Sequence, residues 1–158
     1  MLKAFISPQG GEMVRGSMEL KLIASTPDVE RLIATAVLTT CSRKTPQEIY
    51  EALGERREKV EKMMNEIILK HGSVLEHNRL VFLAEAEDGE VLELLLANRF
   101  VEATRLEPGR WLLSFNLRVA LSLLKHDGDL PEGVREGLAE ALRAVASTLY
   151  WRVMGREG

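Results

Sequence analysis

The apolar positions near the start of the chain follow first strand spacing and then helix spacing. In "SMELKLIAS", Met18, Leu20 and Leu22 are two residues apart, which predicts a strand, and the weakly alternating "MLKAFIS" before it predicts a hairpin-like opening. The next segment, "STPDVERLIATAVLTTCS", carries an apolar stripe at helical spacing. Thr26 is its expected N-cap and Pro27 its first helical residue, so a strand followed by an amphipathic helix is predicted.

Two further helices are predicted in the next forty residues. Thr45, Pro46 and Glu48 form the pattern of a capping box, which marks the start of a helix. After Gly54, the segment "ERREKVEKMMNEIILKH" brings its apolar residues to one helical face and leaves charged residues on the other. We therefore expect two consecutive amphipathic helices.

The stretch "HGSVLEHNRLVF" combines polar residues with a β-branched run. Ser73 is expected to cap a short helical turn, "VLEH", and "RLVFLAEAED" then predicts a strand that ends at the turn pair Asp88 and Gly89. After this turn, "EVLELLLAN" is nearly all apolar. Such a segment is typical of a buried helix.

The remaining chain predicts strands and then helices. The segment "RFVEATRLEPGRWLLSF" alternates as one or two strands broken at Pro108 and Gly109, and "NLRVALSLLKH" predicts a helix that begins at Asn116. We expect one domain over residues 1–158, of the α+β class, with helices packed on a small, mostly antiparallel sheet. A final helix is predicted from the helical spacing of Val134, Leu138, Leu142, Val145 and Leu149.

Composition narrows the functional classes. A formal net charge of -3 and a sequence pI near 5.7 argue against a general nucleic-acid binder, because neutralising phosphates requires an excess of Lys and Arg. The single cysteine, Cys41, permits neither an intrachain disulfide nor a multi-thiolate metal cage, and it suggests a reducing compartment. No segment has the length and apolarity of a membrane span. The sequence therefore predicts a soluble, cytoplasmic protein that binds neither nucleic acid nor membrane.

The histidines do not have the spacing of a metal site. His71 and His77 are six residues apart, whereas the helical pair of a metalloprotease is four apart, and His126 lies beside Asp127 in a polar segment. Ser73 has neither a nucleophile elbow nor a glycine-lined oxyanion loop. We predict no metal site and no serine hydrolase.

An anion site is the remaining chemistry that these residues suggest. Ser73 opens a helical turn, His71 and Glu76 have groups that hydrogen-bond to a heterocycle, and Arg110 follows a Pro-Gly turn where a guanidinium can clamp a phosphate. Each has a plainer interpretation. Ser73 is then an ordinary cap, His71 and Glu76 bond to nearby backbone, and Arg110 is an exposed strand-edge cation stacked on Trp111.

Together, these residues resemble the flavin-dependent thymidylate synthases, which methylate dUMP with methylenetetrahydrofolate, reduced flavin and a pyridine nucleotide. The resemblance runs over about residues 19–111: "ELKLIASTPDVERLIATAV" is similar to the family's opening strand and helix, and "HGSVLEHNRLVF" to its stretch H-x-S-V-L-E-H-A-x-F-T-F. It implies the flavin-dependent thymidylate synthase-like α+β fold. It also implies that His71 lies at the flavin and substrate pocket, that Ser73 and Glu76 contact FAD, and that His77 is mainly structural.

The family signature, R-H-R-x-x-S-x-x-x-x-S-x-R-Y, is changed in this chain. The corresponding stretch is "NRFVEATRLEPGRW", in which Ala103 and Pro108 replace both serines. By resemblance, Arg110 remains at the position that holds the dUMP phosphate, and Arg99 supplies one cofactor-binding charge after a shift of one residue. Asn116 resembles the start of the family's closing helix, N-A-R-x-L-x-x-F, which implies a cofactor contact there.

The resemblance leaves two functions open. One is a thymidylate synthase-like protein that keeps a pocket for FAD and a dUMP-like nucleotide, in which the reduced flavin carries the chemistry and no protein nucleophile is expected. The other is a non-catalytic paralogue that acts as an oligomerisation or interaction subunit. Either would be a homo-oligomer, a tetramer by resemblance, with "EVLELLLA" in the interface. The loss of both signature serines argues against methylation of dUMP and favours the non-catalytic paralogue.

Overall fold

A computed structural model describes residues 17–66, 72–125 and 130–155. The predicted strand "MLKAFIS" lies outside these residues. Within them the strands are β1 (Glu19–Ser25), β2 (Leu80–Glu85), β3 (Glu102–Glu107) and β4 (Arg110–Phe115), and a 3-10 helix (Gly72–Glu76) precedes β2. The helices are α1 (Val29–Thr39), α2 (Pro46–Gly54), α3 (Arg57–Glu66), α4 (Asp88–Ala97), α5 (Leu117–Lys125), α6 (Glu132–Val145) and α7 (Ser147–Met154).

The four strands form one antiparallel sheet in the order β1-β2-β4-β3. Alternate residues of the central strands form a fully buried face, where Phe82 lies opposite Leu113 and Phe82 stacks on Phe115 with ring centroids 4.9 Å apart. The predicted α+β class, with helices on a small antiparallel sheet, is confirmed. The predicted break at Pro108 and Gly109 is also confirmed as the turn between β3 and β4.

Helix α6 packs directly against the backbone of the edge strand β1. A Cβ added to Gly137 would lie 2.1 Å from the carbonyl oxygen of Leu20, and one added to Gly133 would lie 2.8 Å from the carbonyl oxygen of Met18. Since these residues are four apart, they lie on one face of α6. Their lack of a side chain is what allows the helix to approach the strand so closely.

The start of α1 differs from the prediction. The helix begins at Val29, with Asp28 as its N-cap in the left-handed region at φ 46°, so the predicted cap at Thr26 is wrong by two residues. The hydroxyl of Thr26 instead accepts a hydrogen bond of 2.8 Å from the amide of Arg79, just before β2. The side chain that was expected to cap the helix therefore joins the end of β1 to the start of β2.

The capping box of α2 is confirmed. The amide of Glu48 donates to the hydroxyl of Thr45 at 3.3 Å, and the amide of Thr45 donates to the carboxylate of Glu48 at 2.8 Å. Two hydrogen bonds to the carboxylate of Glu48, first the one from the backbone amide of Thr45 and then the one from the Thr45 hydroxyl at 2.9 Å, lower the pKa of Glu48. The local sequence pattern was sufficient here because all the partners lie within four residues.

Helix α4 begins earlier than predicted. Asp88 and Gly89 form its first turn instead of a turn pair, and Glu87 is the N-cap. The amide of Glu87 donates to the carboxylate of Glu90 at 2.9 Å, which gives this end the reciprocal bonding of a capping box. The Asp-Gly pair is a turn signal, but the acidic residues around it favour a helix start as well.

The predicted burial of α4 is wrong for one of its faces. Val91 and Leu94 are buried, whereas Leu92 is 56% exposed and Leu96 is 79% exposed. Phe100, four residues beyond Leu96, is also exposed. A helix on the surface of a single chain buries only one of its faces. When the residues on the opposite face are also apolar, as in α4, they are exposed to solvent.

The predicted last helix is two helices, α6 and α7, separated at Ala146. The buried carboxylate of Glu30 on α1 accepts hydrogen bonds from the amide of Leu149 at 3.0 Å and the hydroxyl of Thr148 at 2.9 Å. Glu30 therefore caps the start of α7 from another element. The apolar spacing continues through the break, so it gave no sign of it.

No helix among the described residues is long and apolar enough to cross a membrane.

Candidate functional site

The 3-10 helix and the start of α5 are held together by Asn78. Its Oδ1 accepts a hydrogen bond of 2.8 Å from the amide of Leu117, and its Nδ2 donates one of 2.8 Å to the carbonyl oxygen of Leu75. The side chain thus bonds to both elements and fixes their spacing. Sequence reasoning did not assign a role to Asn78, although the family motif has alanine at this position and the difference itself was a signal.

Asn116 begins α5, as predicted. Its Oδ1 accepts from the amide of Val119 at 3.0 Å, and its backbone oxygen accepts from the amide of Ala120 at 3.2 Å. Asn116 is buried, with 9% of its surface exposed. Because its side-chain oxygen is used as a helix cap, its side-chain amide is the group that could contact a ligand.

Glu76 and Arg118 form an ion pair between the 3-10 helix and α5. A Cβ added to Gly72 would lie 3.8 Å from the Cζ of Arg118, so the guanidinium extends along the 3-10 helix. Both side chains retain exposed surface. Arg118 was not among the predicted site residues, and the signal for it was its place two residues after Asn116 in the motif "NLR".

Ser73 lies on the same 3-10 helix and is exposed. The helix begins at Gly72 and has five residues, so the prediction that Ser73 caps it is wrong. His77 follows the helix and is exposed, with its amide 3.4 Å from the carbonyl oxygen of Val74. His71 and His126 lie outside the described residues.

Arg110 lies at the other end of the sheet. Its Nη1 is 2.8 Å from Oε1 of Glu107, and its Nε is 3.9 Å from Oε1 of Glu85. Strand β4 runs from Arg110 to Phe115, next to Asn116, so its length of about 17 Å lies between the two predicted ligand residues. A single chain therefore does not bring Arg110 and Asn116 together.

Arg99 lies in the turn between α4 and β3, where its Cζ is 4.8 Å from the ring centroid of Phe100. The pairing of Glu102 with Ser114 puts this turn toward the end of the sheet that carries Asn116. Arg99 and Arg110 are thus at opposite ends of the β3–β4 hairpin.

The stacking expected for Arg110 is made by another residue. Arg105 lies over Trp111, with its Cζ 6.0 Å from the ring centroid, whereas the partners of Arg110 are carboxylates. Arg105 also pairs with Asp88 at 3.1 Å and so joins β3 to α4. Both arginines are therefore already paired with carboxylates in this chain.

A cavity of about 350 Å³ is lined by none of the predicted ligand residues that the structure describes. It is bounded by the turn between β1 and α1, the end of α2, the start of α3 and the junction of α6 with α7. Within the described part of the chain, no group of three or more His, Cys, Asp or Glu side chains could hold a metal ion.

The fold defines an α+β protein with seven helices and a four-stranded antiparallel sheet in its described residues. The chain is similar to the crystal structure of a UMP/dUMP methylase, PolB, from Streptomyces cacaoi, bound with 5-Br dUMP. The TM-score is 0.54 and the sequence identity 14%, over 89% of this chain and 96% of that chain. This likeness shows the fold. Comparison of the sequence with protein-family models and with curated proteins gives no match.

Proposed function

We propose that the protein is a divergent relative of the flavin-dependent thymidylate synthases that binds FAD and a dUMP-like nucleotide beside the 3-10 helix but does not methylate the nucleotide. The observation that carries the proposal is the joining of the 3-10 helix to α5 by the ion pair of Glu76 and Arg118, with the exposed Ser73 three residues before Glu76 on the same helix. This 3-10 helix, Gly72–Glu76, lies within the "HGSVLEH" stretch of the family resemblance. The fold likeness to a methylase crystallised with 5-Br dUMP supports the nucleotide.

The side chains at this surface suit a nucleotide or flavin. The Arg118 guanidinium is a donor for a phosphate, Glu76 is an acceptor for an imide or ribose hydroxyl, and the Asn116 amide is a further donor. These residues would position and orient the nucleotide beside bound FAD, without the methylene transfer that the family carries out. Arg110 is too far away in the same chain, so it would serve the pocket of a second copy.

The proposed loss of methylation rests on the hairpin that carries the altered signature. Ala103 stands in β3 and Pro108 in the exposed turn that follows, where the family has serines. Pro108 offers a phosphate neither a hydroxyl nor a backbone N–H. Arg110, the remaining phosphate position, is already paired with Glu107 and Glu85. Binding energy directed at the phosphate is therefore reduced.

The test is binding of FAD and dUMP to the purified chain. We expect a change in the flavin absorbance bands on titration with FAD, heat of binding with dUMP, and no dTMP when methylenetetrahydrofolate and a reduced pyridine nucleotide are added. Arg118→Gln should weaken dUMP binding by about tenfold or more, because a charge-assisted hydrogen bond is lost. The control Arg43→Gln, in the exposed loop after α1, should bind as the native chain does. A chain that binds neither FAD nor dUMP would contradict the proposal.

The second candidate is the non-catalytic subunit, which the exposed apolar row on α4 favours. Leu92 and Leu96 lie four residues apart on α4 and are exposed, and Phe100 is exposed in the turn that follows the helix. A row of this kind is uncommon on a monomer and typical of an interaction surface. We propose that a second copy covers it in a homotetramer. If FAD and dUMP do not bind while the assembly persists, this function replaces the first.

Leu96→Glu should break this assembly, because it would bury a carboxylate without a partner in the interface. We expect light scattering after gel filtration to give a lower mass than for the native chain. Ile23→Glu is the matched control, since Ile23 is an exposed apolar residue on β1, on a different element from the row. An unchanged mass for Leu96→Glu, or an equal effect of both substitutions, would remove α4 from the interface.

A further inference from the structure

The cavity between the β1–α1 turn and the end of α2 has the size of a small-molecule site. Its volume of about 350 Å³ is within the usual range for ligand pockets. Polar groups line one part of it, including Thr26, Asp28 and Arg31, and apolar side chains line another part, including Leu53 and Val60. Such a cavity suits a small molecule that has one polar end and one apolar end.

The guanidinium of Arg31 is fixed at the wall of this cavity. Its Nε donates to the carbonyl oxygen of Tyr50 at 2.6 Å, and its Cζ lies 3.8 Å from the ring centroid of Tyr50. Gly54, on α2 with Tyr50, leaves room for the guanidinium, since a Cβ at Gly54 would lie 2.7 Å from Nη2 of Arg31. The side chain is only 20% exposed. Its planar donor group is therefore held in one orientation before any ligand arrives.

The terminal nitrogens of Arg31 are the groups left to meet a ligand. Nη1 lies 3.6 Å from Oδ2 of Asp28, which is longer than a good hydrogen bond. Asp28 is about half exposed and can turn to solvent. The buried carboxylate of Glu30 does not compete, because its two oxygens accept from Thr148 and Leu149.

Arg57 adds a second guanidinium to the same cavity. It lies on the first turn of α3 and pairs with Glu61 at 3.0 Å, and its side chain is largely exposed. An exposed pair of this kind contributes little and opens easily. A ligand anion can therefore recruit Arg57 while Arg31 stays in place.

We propose that this cavity binds a small organic anion, a carboxylate or phosphate monoester with a compact apolar part, through a bidentate contact with Arg31. The anionic group takes the terminal nitrogens of Arg31, Arg57 closes over it, and the apolar part lies on Leu53 and Val60. This site is separate from the surface around Glu76 and Arg118. It stands whether or not the chain binds FAD or dUMP.

The test uses three probes of similar shape, benzoate, phenyl phosphate and neutral benzamide. In ¹H–¹⁵N NMR titrations we expect benzoate or phenyl phosphate to shift the amides of Gly54, Thr26 and Ser147, and benzamide to leave them unchanged. The stronger of the two anions then identifies the carboxylate or the phosphate class. Shifts located elsewhere, no shift with either anion, or equal shifts with benzamide would overturn the proposal.

Matched substitutions locate the contact. Arg31→Gln should lower the affinity for the anion by about tenfold or more, since a bidentate charged contact is lost. Because Arg31 also packs on Tyr50, Arg57→Gln provides a second variant on an exposed side chain, with an expected loss of about threefold. Arg43→Gln, in the exposed loop after α1, is the control and should leave anion binding at the cavity unchanged. Retained affinity in both the Arg31→Gln and Arg57→Gln variants would exclude the site.

Discussion

Replacement of Gly137 by alanine is expected to lower the free energy of unfolding by about 3 kcal/mol. The new Cβ would lie 2.1 Å from the carbonyl oxygen of Leu20 and 2.9 Å from its carbonyl carbon. Both are backbone atoms, so no side-chain rotation relieves the contact. The pairing of β1 with β2 holds Leu20 opposite Ala84, and α6 must therefore move away from the sheet. Urea denaturation followed by circular dichroism measures the loss.

Gly89→Ala is the matched control for this substitution. Gly89 is also in a helix, and a Cβ there would meet no atom within 4 Å. We expect it to be neutral or to stabilise the protein by up to about 1 kcal/mol, because alanine has the better helix propensity. Equal losses from the two substitutions, or no loss from Gly137→Ala, would show that α6 does not contact β1 through its glycines.

Asn78→Ala is expected to lower the free energy of unfolding by about 2 kcal/mol and to remove dUMP binding. The substitution deletes the acceptor of the Leu117 amide and the donor to the Leu75 carbonyl, both at 2.8 Å. Two partly buried backbone groups lose their partner, which is the costly case for a hydrogen bond. Because Asn78 sets the spacing of the 3-10 helix and α5, Glu76 and Arg118 also lose their relative position.

Two variants test whether the loss of stability in Asn78→Ala comes from these two hydrogen bonds or would follow the removal of any asparagine. Asn78→Asp keeps an acceptor for the Leu117 amide but loses the donor to Leu75, so we expect about half of the destabilisation. Asn98→Ala removes a bond of 3.0 Å to the exposed amide of Phe100 and should cost less than about 1 kcal/mol. Denaturation and dUMP calorimetry on the same samples give both quantities. Native stability of Asn78→Ala would contradict this role.

Local patterns in the sequence predicted most of the elements because their causes lie within a few residues. The capping box of Thr45 and Glu48 and the helix start at Asn116 each close within four residues, and both were found. The first cap and the last helix were wrong because the deciding partners are remote. Thr26 bonds to Arg79, and Glu30 caps the start of α7. Rules based on residue spacing use only neighbouring residues, so they do not predict a hydrogen-bond partner from another element.

The candidate site shows the same division. The sequence brought Ser73 and Glu76 together because they are three residues apart on one turn. It also grouped Arg110 with them, although the length of β4, about 17 Å, lies between Arg110 and Asn116. Arg118 was left out of the group because its contact with Glu76 joins residues 42 apart in sequence. The position of a residue in a sequence motif does not show how far a strand carries it from the other residues of the motif.

By itself, the sequence determined the α+β class and the order of most of the described strands and helices, because apolar spacing and caps act locally. The tertiary structure alone decided which side of α4 is exposed, which charged side chains meet and where the cavity lies. These depend on contacts between distant segments. Burial, ion pairing and the fixed guanidinium of Arg31 arise only when those segments pack together.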